Sequence, residues 1–157
     1  MIEIKDYWMG RDVRFAAELT PEIETNAAET IRRVNLLLDR AALDGVYPGI
    51  DPRTGTEVSS GWRPAAINEH TKNAASGSKH LTARAEDVRD TQQRSLARWC
   101  VSHQDVLAEI GLWIEDPQWC PTWVHFQTVP PGSGLRVYVP STAPAICAKL
   151  PEQEALA

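Results

Sequence analysis

Two histidines and one aspartate are the residues of this chain whose types and spacing could hold a metal ion. His80 and Asp87 stand seven residues apart, and His125 follows far downstream. A neutral imidazole and a carboxylate at this spacing, joined by a short turn, can converge on one divalent cation, and a second imidazole from a neighbouring strand makes three ligands. Three protein ligands leave a fourth position open, as in catalytic rather than structural zinc sites.

Short motifs accompany these residues in a fixed order. The run Ser-Gly-Trp-Arg-Pro occupies residues 60–64, a Ser-x-His and an Ala-x-Asp pattern follow within residues 78–87, and Trp-Val-His ends at His125. In this order the chain resembles the LAS-type zinc peptidases, a family of zinc D-Ala-D-Ala carboxypeptidases and dipeptidases and of phage endolysin L-alanyl-D-glutamate endopeptidases. The resemblance runs from residue 58 to residue 140, and Tyr-Trp-Met-Gly-Arg-Asp at residues 7–12 also looks like the start of phage-type and bacterial members.

The resemblance implies a Hedgehog/DD-peptidase-like fold and hydrolysis of peptide bonds in peptidoglycan stem peptides, by a D,D-carboxypeptidase or an endopeptidase. His80, Asp87 and His125 match the family's ligands for Zn2+. Arg63 matches a family arginine that can stabilise the oxyanion of the tetrahedral intermediate. The structural alternative for Arg63 is an arginine tied to a carboxylate near the strand end. Ser78 matches a serine that is expected to hydrogen-bond either the substrate or a group that supports the metal ligands.

The general base is where the chain departs from many members of this family. They carry a glutamate three residues before the last histidine, and Thr122 stands at that position. A threonine cannot act as a general base near neutral pH. Glu115 and Asp116, the nearest upstream carboxylates, are therefore the candidates for the base. Otherwise the site works slowly without a strong base, or the domain binds metal and cell wall without cutting.

Aromatic and thiol side chains near the last histidine allow two interpretations. Trp113, Trp119 and Trp123 could wall a pocket for a sugar or the stem peptide, with Trp123 as the substrate-binding candidate, or they could pack in the core. Cys120 could be a ligand but fits a small buried hydrophobe better. The three cysteines are not in Cys-x-x-Cys spacing. Their odd number and the absence of that spacing are typical of reduced thiols.

Composition indicates one globular enzyme domain. The chain has 157 residues, of which 43% are hydrophobic and 24% charged, enough for one buried core. We expect a single domain over residues 1–150 and a flexible tail over residues 151–157.

Charge and hydropathy restrict the partners. A net charge of -5 without a basic stripe argues against nucleic acid. No signal peptide stands at the N-terminus, and no segment is apolar for long enough to cross a membrane, so the sequence predicts a product made in the cytoplasm with no membrane partner. The resemblance then implies release by a holin or carriage in a virion.

Periodicity predicts an α+β domain in which two helices pack on a small, mainly antiparallel sheet. The first helix follows an N-cap at Thr20 and ends near Gly45, and the second runs from Thr91 to a stop at Gly111. Residues 68–79 read as a loop over the site. The expected strands cover residues 57–62, 85–89, 123–128 and 136–139, and a Pro- and Gly-rich turn joins the last two as a hairpin.

Two alternatives to the enzyme remain open at this point. One is a non-catalytic, zinc-containing module, for cell-wall binding or a phage structure, that has lost its general base. The other is an unrelated, metal-free domain, which would bind no stoichiometric zinc.

Overall fold

A computed structural model describes residues 1–143 of the chain. These residues form one five-stranded sheet and six α-helices, joined by loops and three short 3-10 turns. The tail expected at residues 151–157 lies outside these residues. The fold is mixed α+β, as the periodicity predicts. The elements, in chain order, are α1 (Ile4–Trp8), α2 (Arg11–Arg14), α3 (Pro21–Leu43), β1 (Val58–Ser60), α4 (Ala65–His70), β2 (Ala85–Arg89), α5 (Ser95–Ser102), α6 (Gln104–Ile110), β3 (Trp113–Glu115), β4 (Trp123–Gln127) and β5 (Val137–Tyr138).

Helix α3 is the long scaffold element, and its ends follow the sequence signals. The Thr20 hydroxyl accepts a hydrogen bond from the Ile23 amide at 3.3 Å, and proline fills the first helical position. Gly45, with φ of +72°, follows the last turn in the left-handed conformation that ends many helices. The buried stripe of α3 packs against the sheet and contains Ala27, Ile31, Val34, Leu37, Leu38 and Ala41.

The sheet has the strand order β1-β2-β4-β3-β5, and three of its four strand pairs are antiparallel. One face packs on the helices and contributes Val88, Ile114, Val124 and Phe126 to the hydrophobic core. Side chains alternate between the faces of a sheet, so the neighbours of these residues, Asp87, Glu115, Trp123 and His125, point to the opposite face. That face forms the floor of a cleft.

The hairpin expected between the last two strands is wrong. Strand β3 lies between β4 and β5, and β5 pairs with β3 in parallel. The amides of Ile114 and Asp116 donate to the carbonyls of Arg136 and Tyr138 at 2.9 and 2.7 Å. The Pro- and Gly-rich segment therefore carries the chain past β3. Three residues are too few to give β3 a periodicity, and strand order depends on such distant pairing.

The second predicted helix is two helices, α5 and α6, that begin at Ser95 and not at Thr91. The Asp90 carboxylate accepts the amides of Leu96 and Ala97 at 3.0 Å, which fixes the start of α5 four residues later than expected. The two helices meet at His103, whose backbone leaves the helical region and whose ring stacks on Trp99 with centroids 4.3 Å apart.

Strand β1 is shorter than expected, and the segment that follows it contains a helix. Strand β1 ends at Ser60, since the next residue leaves the sheet to pack against α1, where a Cβ at Gly61 would overlap the carbonyl oxygen of Tyr7. The expected loop at residues 68–79 begins inside α4, where the Asn68 amide group donates to the Ala75 carbonyl at 3.0 Å.

None of the helices among the described residues is long and apolar enough to span a membrane.

Candidate metal centre

His80 is fixed by its backbone amide and by one nitrogen of its ring. It lies in a short 3-10 turn, Lys79–Thr82, and its backbone amide donates to the Ser78 hydroxyl at 3.4 Å. Its Nδ1 bonds the Gly61 carbonyl at 2.7 Å, and the side chain is 1% exposed. Because a carbonyl can only accept, Nδ1 carries the proton and Nε2 keeps its lone pair. A histidine held this way is oriented as a metal ligand.

Asp87 and His125 are direct neighbours in the sheet. They are register partners on the antiparallel strands β2 and β4, which puts both side chains on the cleft face. His125 Nδ1 lies 2.8 Å from Asp87 Oδ1, and His80 Nε2 lies 3.3 Å from each of those atoms. The three predicted ligands are therefore brought together, and all three are buried.

The donor set fits a zinc ion. Two imidazole nitrogens and one carboxylate oxygen are the ligand types of catalytic zinc sites, and bonds of about 2.0–2.1 Å place tetrahedral donors about 3.3 Å apart. Two of the three separations among His80, Asp87 and His125 equal that value, and the third is shorter at 2.8 Å. Among the described residues this is the group of His, Cys, Asp and Glu side chains that could hold an ion.

Arg63 orients the Asp87 carboxylate. Its Nη2 donates to Asp87 Oδ2 at 2.6 Å and its Nε to the Ser60 hydroxyl at 2.9 Å, while its backbone amide bonds the His80 carbonyl at 3.0 Å. The Arg63 and Asp87 side chains are 11% and 7% exposed, so solvent screens this pair weakly. Both interpretations of Arg63 remain compatible with this geometry, since its Nη1 has no hydrogen-bond partner among the described residues.

Burial and charge set the protonation of the three candidate ligands. Burial, with the nearby Arg63 charge, lowers the pKa of His80 to about 4 against the pull of Asp87. Burial also acts to lower the pKa of His125, but its hydrogen bond to Asp87 and the carboxylate charge outweigh burial and raise that pKa. Burial acts to raise the pKa of Asp87, but the two imidazoles outweigh it and hold that pKa well below its usual range. The carboxylate is thus ionised at neutral pH, as a ligand must be.

Of the two candidate bases, Glu115 reaches the cleft and Asp116 does not. Strands β3 and β4 pair Trp113 with Gln127 and Ile114 with Phe126, so the next step of the ladder puts Glu115 beside His125. Glu115 lines the cleft, whereas the Asp116 carboxylate caps the following turn by accepting the Gln118 amide at 3.0 Å.

Glu115 also has a fixed hydrogen-bond partner. The thiol of Cys120 is 1% exposed and donates to Glu115 Oε2 at 3.2 Å. Burial raises the pKa of this thiol far above its usual range, and the charge of Glu115 adds to that rise. Cys120 is therefore a protonated donor to the carboxylate and lies outside the metal-ligand group.

The cleft above the ligands has a volume of about 770 Å³, which is large enough for a short peptide. The predicted substrate-binding residues Ser78 and Trp123 both line it, and Trp119 does so as well. Trp113 is instead covered by the Arg136 guanidinium, 4.0 Å from the ring centroid.

Several cleft residues were not identified as functional from the sequence. Gln127 and Tyr138 line the cleft and bond each other, the tyrosine hydroxyl donating to Gln127 Oε1 at 2.7 Å. Arg11 and Arg53 line it from segments far away in the chain. Gln127, two residues after His125 on the same strand, could have been found by strand alternation, and Arg11 lies in the N-terminal motif at residues 7–12.

Comparison of the chain with protein-family models, with curated proteins and with solved structures finds no match. The interpretation of the site therefore depends on its own geometry.

Proposed function

We propose that this protein is a zinc-dependent peptidase of the LAS type, with a Hedgehog/DD-peptidase-like fold, that hydrolyses peptide bonds in peptidoglycan stem peptides. The observation that carries the proposal is the convergence of His80 Nε2, Asp87 Oδ1 and His125 Nδ1 to within 3.3 Å of one another at the floor of a cleft. Release by a holin or carriage in a virion would bring such an enzyme to the cell wall.

His80, Asp87 and His125 would hold the zinc ion. A zinc ion bound there supplies Lewis-acid chemistry, polarising a carbonyl oxygen and making water a nucleophile near neutral pH. The protein holds these ligands in place from behind, through the Gly61 carbonyl on His80 and the Arg63 guanidinium on Asp87.

Glu115 is the general base in this proposal. Its carboxylate takes a proton from the attacking water and delivers it to the amine nitrogen as the carbon–nitrogen bond breaks. Thr122, at the family's usual position for this residue, is exposed and contributes its backbone carbonyl to a hydrogen bond from the Asp90 amide at 3.0 Å. A neighbouring strand thus provides the carboxylate that position 122 lacks.

Arg63 and the cleft walls position the substrate. Arg63 Nη1 has no partner among the described residues and can donate to the oxygen that becomes negative in the transition state. Ser78 and Trp123 line the same cleft and can bind the peptide, the hydroxyl by hydrogen bonding and the indole through its apolar ring.

Mass spectrometry of muropeptides tests the proposal. Purified sacculi are incubated with zinc-loaded protein beside a His125→Ala control, and we expect products that are absent from the control. Loss of one alanine would identify a D,D-carboxypeptidase, and cleavage within the stem would identify an endopeptidase. One bound zinc without any product would instead support the non-catalytic wall-binding or phage structural module, and no bound zinc would support the metal-free domain.

A matched pair of variants tests the base. Glu115→Gln should lower kcat by about 10²–10⁴-fold, the usual contribution of general base catalysis. Asp116→Asn removes the other sequence candidate with the same change of charge and should keep kcat within a few-fold of the parent. The opposite ranking would assign the base to Asp116.

A further inference from the structure

The cleft is lined by more cationic than anionic side chains, although the chain as a whole carries a net charge of -5. Its two carboxylates are Asp87 and Glu115, and Asp87 is already paired with Arg63. The cations that line the cleft among the described residues are Arg11, Arg53, Arg63, Lys72 and Lys79. Such a surplus favours an anionic group in the ligand.

The three arginines of the cleft differ in how their charges are paired. Arg63 bonds Asp87 at 2.6 Å, and Arg53 bonds the buried Asp51 carboxylate at 2.7 Å. Arg11 has no carboxylate partner in the part of the chain that the structure describes. Its hydrogen bond there is from Nη1 to the Trp62 carbonyl, at 2.5 Å.

The guanidinium of Arg11 is held in place and is half-buried. The two preceding residues, Met9 and Gly10, both adopt the left-handed conformation, with φ of 55° and 72°, and so turn the chain from α1 into α2. The absence of a side chain at Gly61 lets α1 approach the segment that carries Trp62 and Arg63. Burial lowers the pKa of Arg11 to about 10, and the charge of Arg63 adds to this effect. Arginine remains charged at that value, and a half-buried charge of this kind favours an anionic partner.

The hydrogen-bond pattern of Arg11 indicates what that partner is. With Nη1 committed to the Trp62 carbonyl, Nε and Nη2 remain without a partner among residues 1–143. These two N–H groups form the edge of a guanidinium that holds a carboxylate by two parallel hydrogen bonds.

We propose that Arg11 binds a carboxylate of the peptide substrate through Nε and Nη2, next to the metal centre, and so makes the enzyme selective for acidic peptides. This inference rests on the proposed peptidase function, because it assigns the substrate's anionic group to the same cleft. Two carboxylates of a stem peptide could fill the role: the C-terminal one, or the free α-carboxyl of a γ-linked D-glutamate within the stem.

Calorimetry with three peptides distinguishes these sources. The peptides are L-Ala-γ-D-Glu-L-Lys-D-Ala-D-Ala, its C-terminal amide, and the form in which the glutamate α-carboxyl is an amide. Each is titrated into the full-length, zinc-loaded protein carrying Glu115→Gln, with Arg11→Gln or Arg14→Gln added. Arg14 is an exposed arginine of the same helix α2 that does not line the cleft, so it controls for the loss of one positive charge. Mass spectrometry after each titration checks that the peptide is intact.

The expected result is a ten- to hundredfold higher Kd of the free peptide for the Arg11→Gln protein, with no change for Arg14→Gln. The parent here is the zinc-loaded Glu115→Gln protein without a second substitution. One of the two amidated peptides should bind this parent with the same raised Kd that the free peptide shows for the Arg11→Gln protein. The position of the amide in that peptide identifies the carboxylate that Arg11 binds. Arg11→Lys keeps the charge without the two-pronged edge and should give an intermediate Kd. It replaces Arg11→Gln if thermal melting shows that the latter does not fold.

Three results would overturn the inference: equal Kd values for the parent and Arg11→Gln proteins, equal binding of all three peptides by the parent, or no binding of any peptide. Hydrolysis of sacculi by the unaltered protein is a separate readout. If hydrolysis occurs without any effect of Arg11 on binding, the proposed function stands and this inference fails. If Arg11-dependent binding occurs without hydrolysis, Arg11 stands as a carboxylate-binding residue, while the proposed hydrolysis and the selectivity of an enzyme both fail.

Discussion

The thiol of Cys120 donates a hydrogen bond to Oε2 of Glu115 at 3.2 Å and is itself 1% exposed. The buried Cys120 and the half-buried Glu115 are thereby fixed relative to each other at the edge of the candidate metal centre. If Glu115 is the base, Cys120 is a positioning residue that selects which carboxylate oxygen is free.

Replacing Cys120 tests this relationship. Cys120→Ala should lower kcat about three- to tenfold with little change in KM, since a hydrogen bond to a charged group is lost. Cys120→Ser keeps a donor and should retain most of the activity. Cys100→Ala is the control, because it also removes a buried thiol. Cys100 lies on the buried face of α5, away from the cleft. An equal fall of kcat in both alanine variants would show that the effect is only structural.

Arg63→Lys should weaken zinc binding about 10- to 100-fold, the usual cost of removing a group that orients a metal ligand. Lysine keeps the charge but cannot bond Asp87 and Ser60 with one planar group. Competition with a chromogenic chelator measures the affinity directly. Arg98→Lys, on the exposed side of α5, should leave it unchanged. Unaltered zinc affinity in Arg63→Lys would mean that Asp87 is held by the sheet alone.

Asp51 should stabilise the fold at neutral pH but not in acid. Its buried carboxylate accepts hydrogen bonds from Arg53 and from the Ser59 hydroxyl, at 2.7 Å each, and the Arg53 bonds in particular hold its pKa far below the usual range. A carboxyl whose pKa is lower in the folded state stabilises the protein above the unfolded pKa of about 3.9, and this contribution disappears as pH falls through the folded value.

Urea unfolding of the parent and Asp51→Asn proteins between pH 7 and pH 2 measures this contribution. At pH 7 the variant should be less stable by about 1–2 kcal/mol, a modest value because the Arg53 side chain is 71% exposed. The difference should shrink below about pH 4. A difference that is constant across this range would attribute the loss to altered packing.

Glu86 is a buried carboxyl whose two oxygens have no hydrogen-bond partner among the described residues. Burial raises its pKa to about 8, and an unpaired polar group in such a place is costly whether or not it is charged. Glu86→Met, which keeps the length of the side chain, should therefore raise the free energy of unfolding by about 1–3 kcal/mol. Chemical denaturation at pH 7 is the measurement, with Glu57→Met as a control on a half-buried acid. A loss of stability would indicate an internal partner for Glu86, such as a bound water molecule.

Gly61→Ala should destabilise the fold and weaken zinc binding together. The added Cβ would overlap the Tyr7 carbonyl oxygen, and the same glycine presents its own carbonyl to His80 Nδ1. We expect a loss of about 3 kcal/mol or more in unfolding free energy and a parallel loss of zinc affinity. Gly77→Ala, on the loop that borders the cleft, has no atom within 4 Å of the added Cβ and should change neither quantity. Normal zinc affinity in Gly61→Ala would show that His80 does not depend on this backbone contact.

The sequence predicted the features that local patterns encode. The 23 residues of α3 carry their own caps and apolar stripe, and β2 has the bounds expected from its residues. The three candidate ligands stand in short motifs, so local sequence was enough to single them out.

The remaining features depend on pairing between distant segments. Neither Glu115 nor Asp116 could be preferred from the sequence, since the choice follows from the register of β3 on β4, which positions only one of them beside His125. Arg11 lies in a sequence motif that does not indicate its role, because its partner Trp62 is 51 residues away. Asp90, whose carboxylate delays the start of α5, likewise acts through its side chain rather than through helical periodicity.

The pairing of Asp87 with His125 across 38 residues, and of His80 with His125 across 45, also has a kinetic consequence. Helix α3 can form from contacts close in sequence, whereas the complete set of donors exists only after β2 and β4 have paired. During refolding, the acquisition of chelator-resistant zinc should therefore lag behind the recovery of helical circular dichroism. The length of this lag would measure how long the chain takes to close the 45-residue loop between His80 and His125.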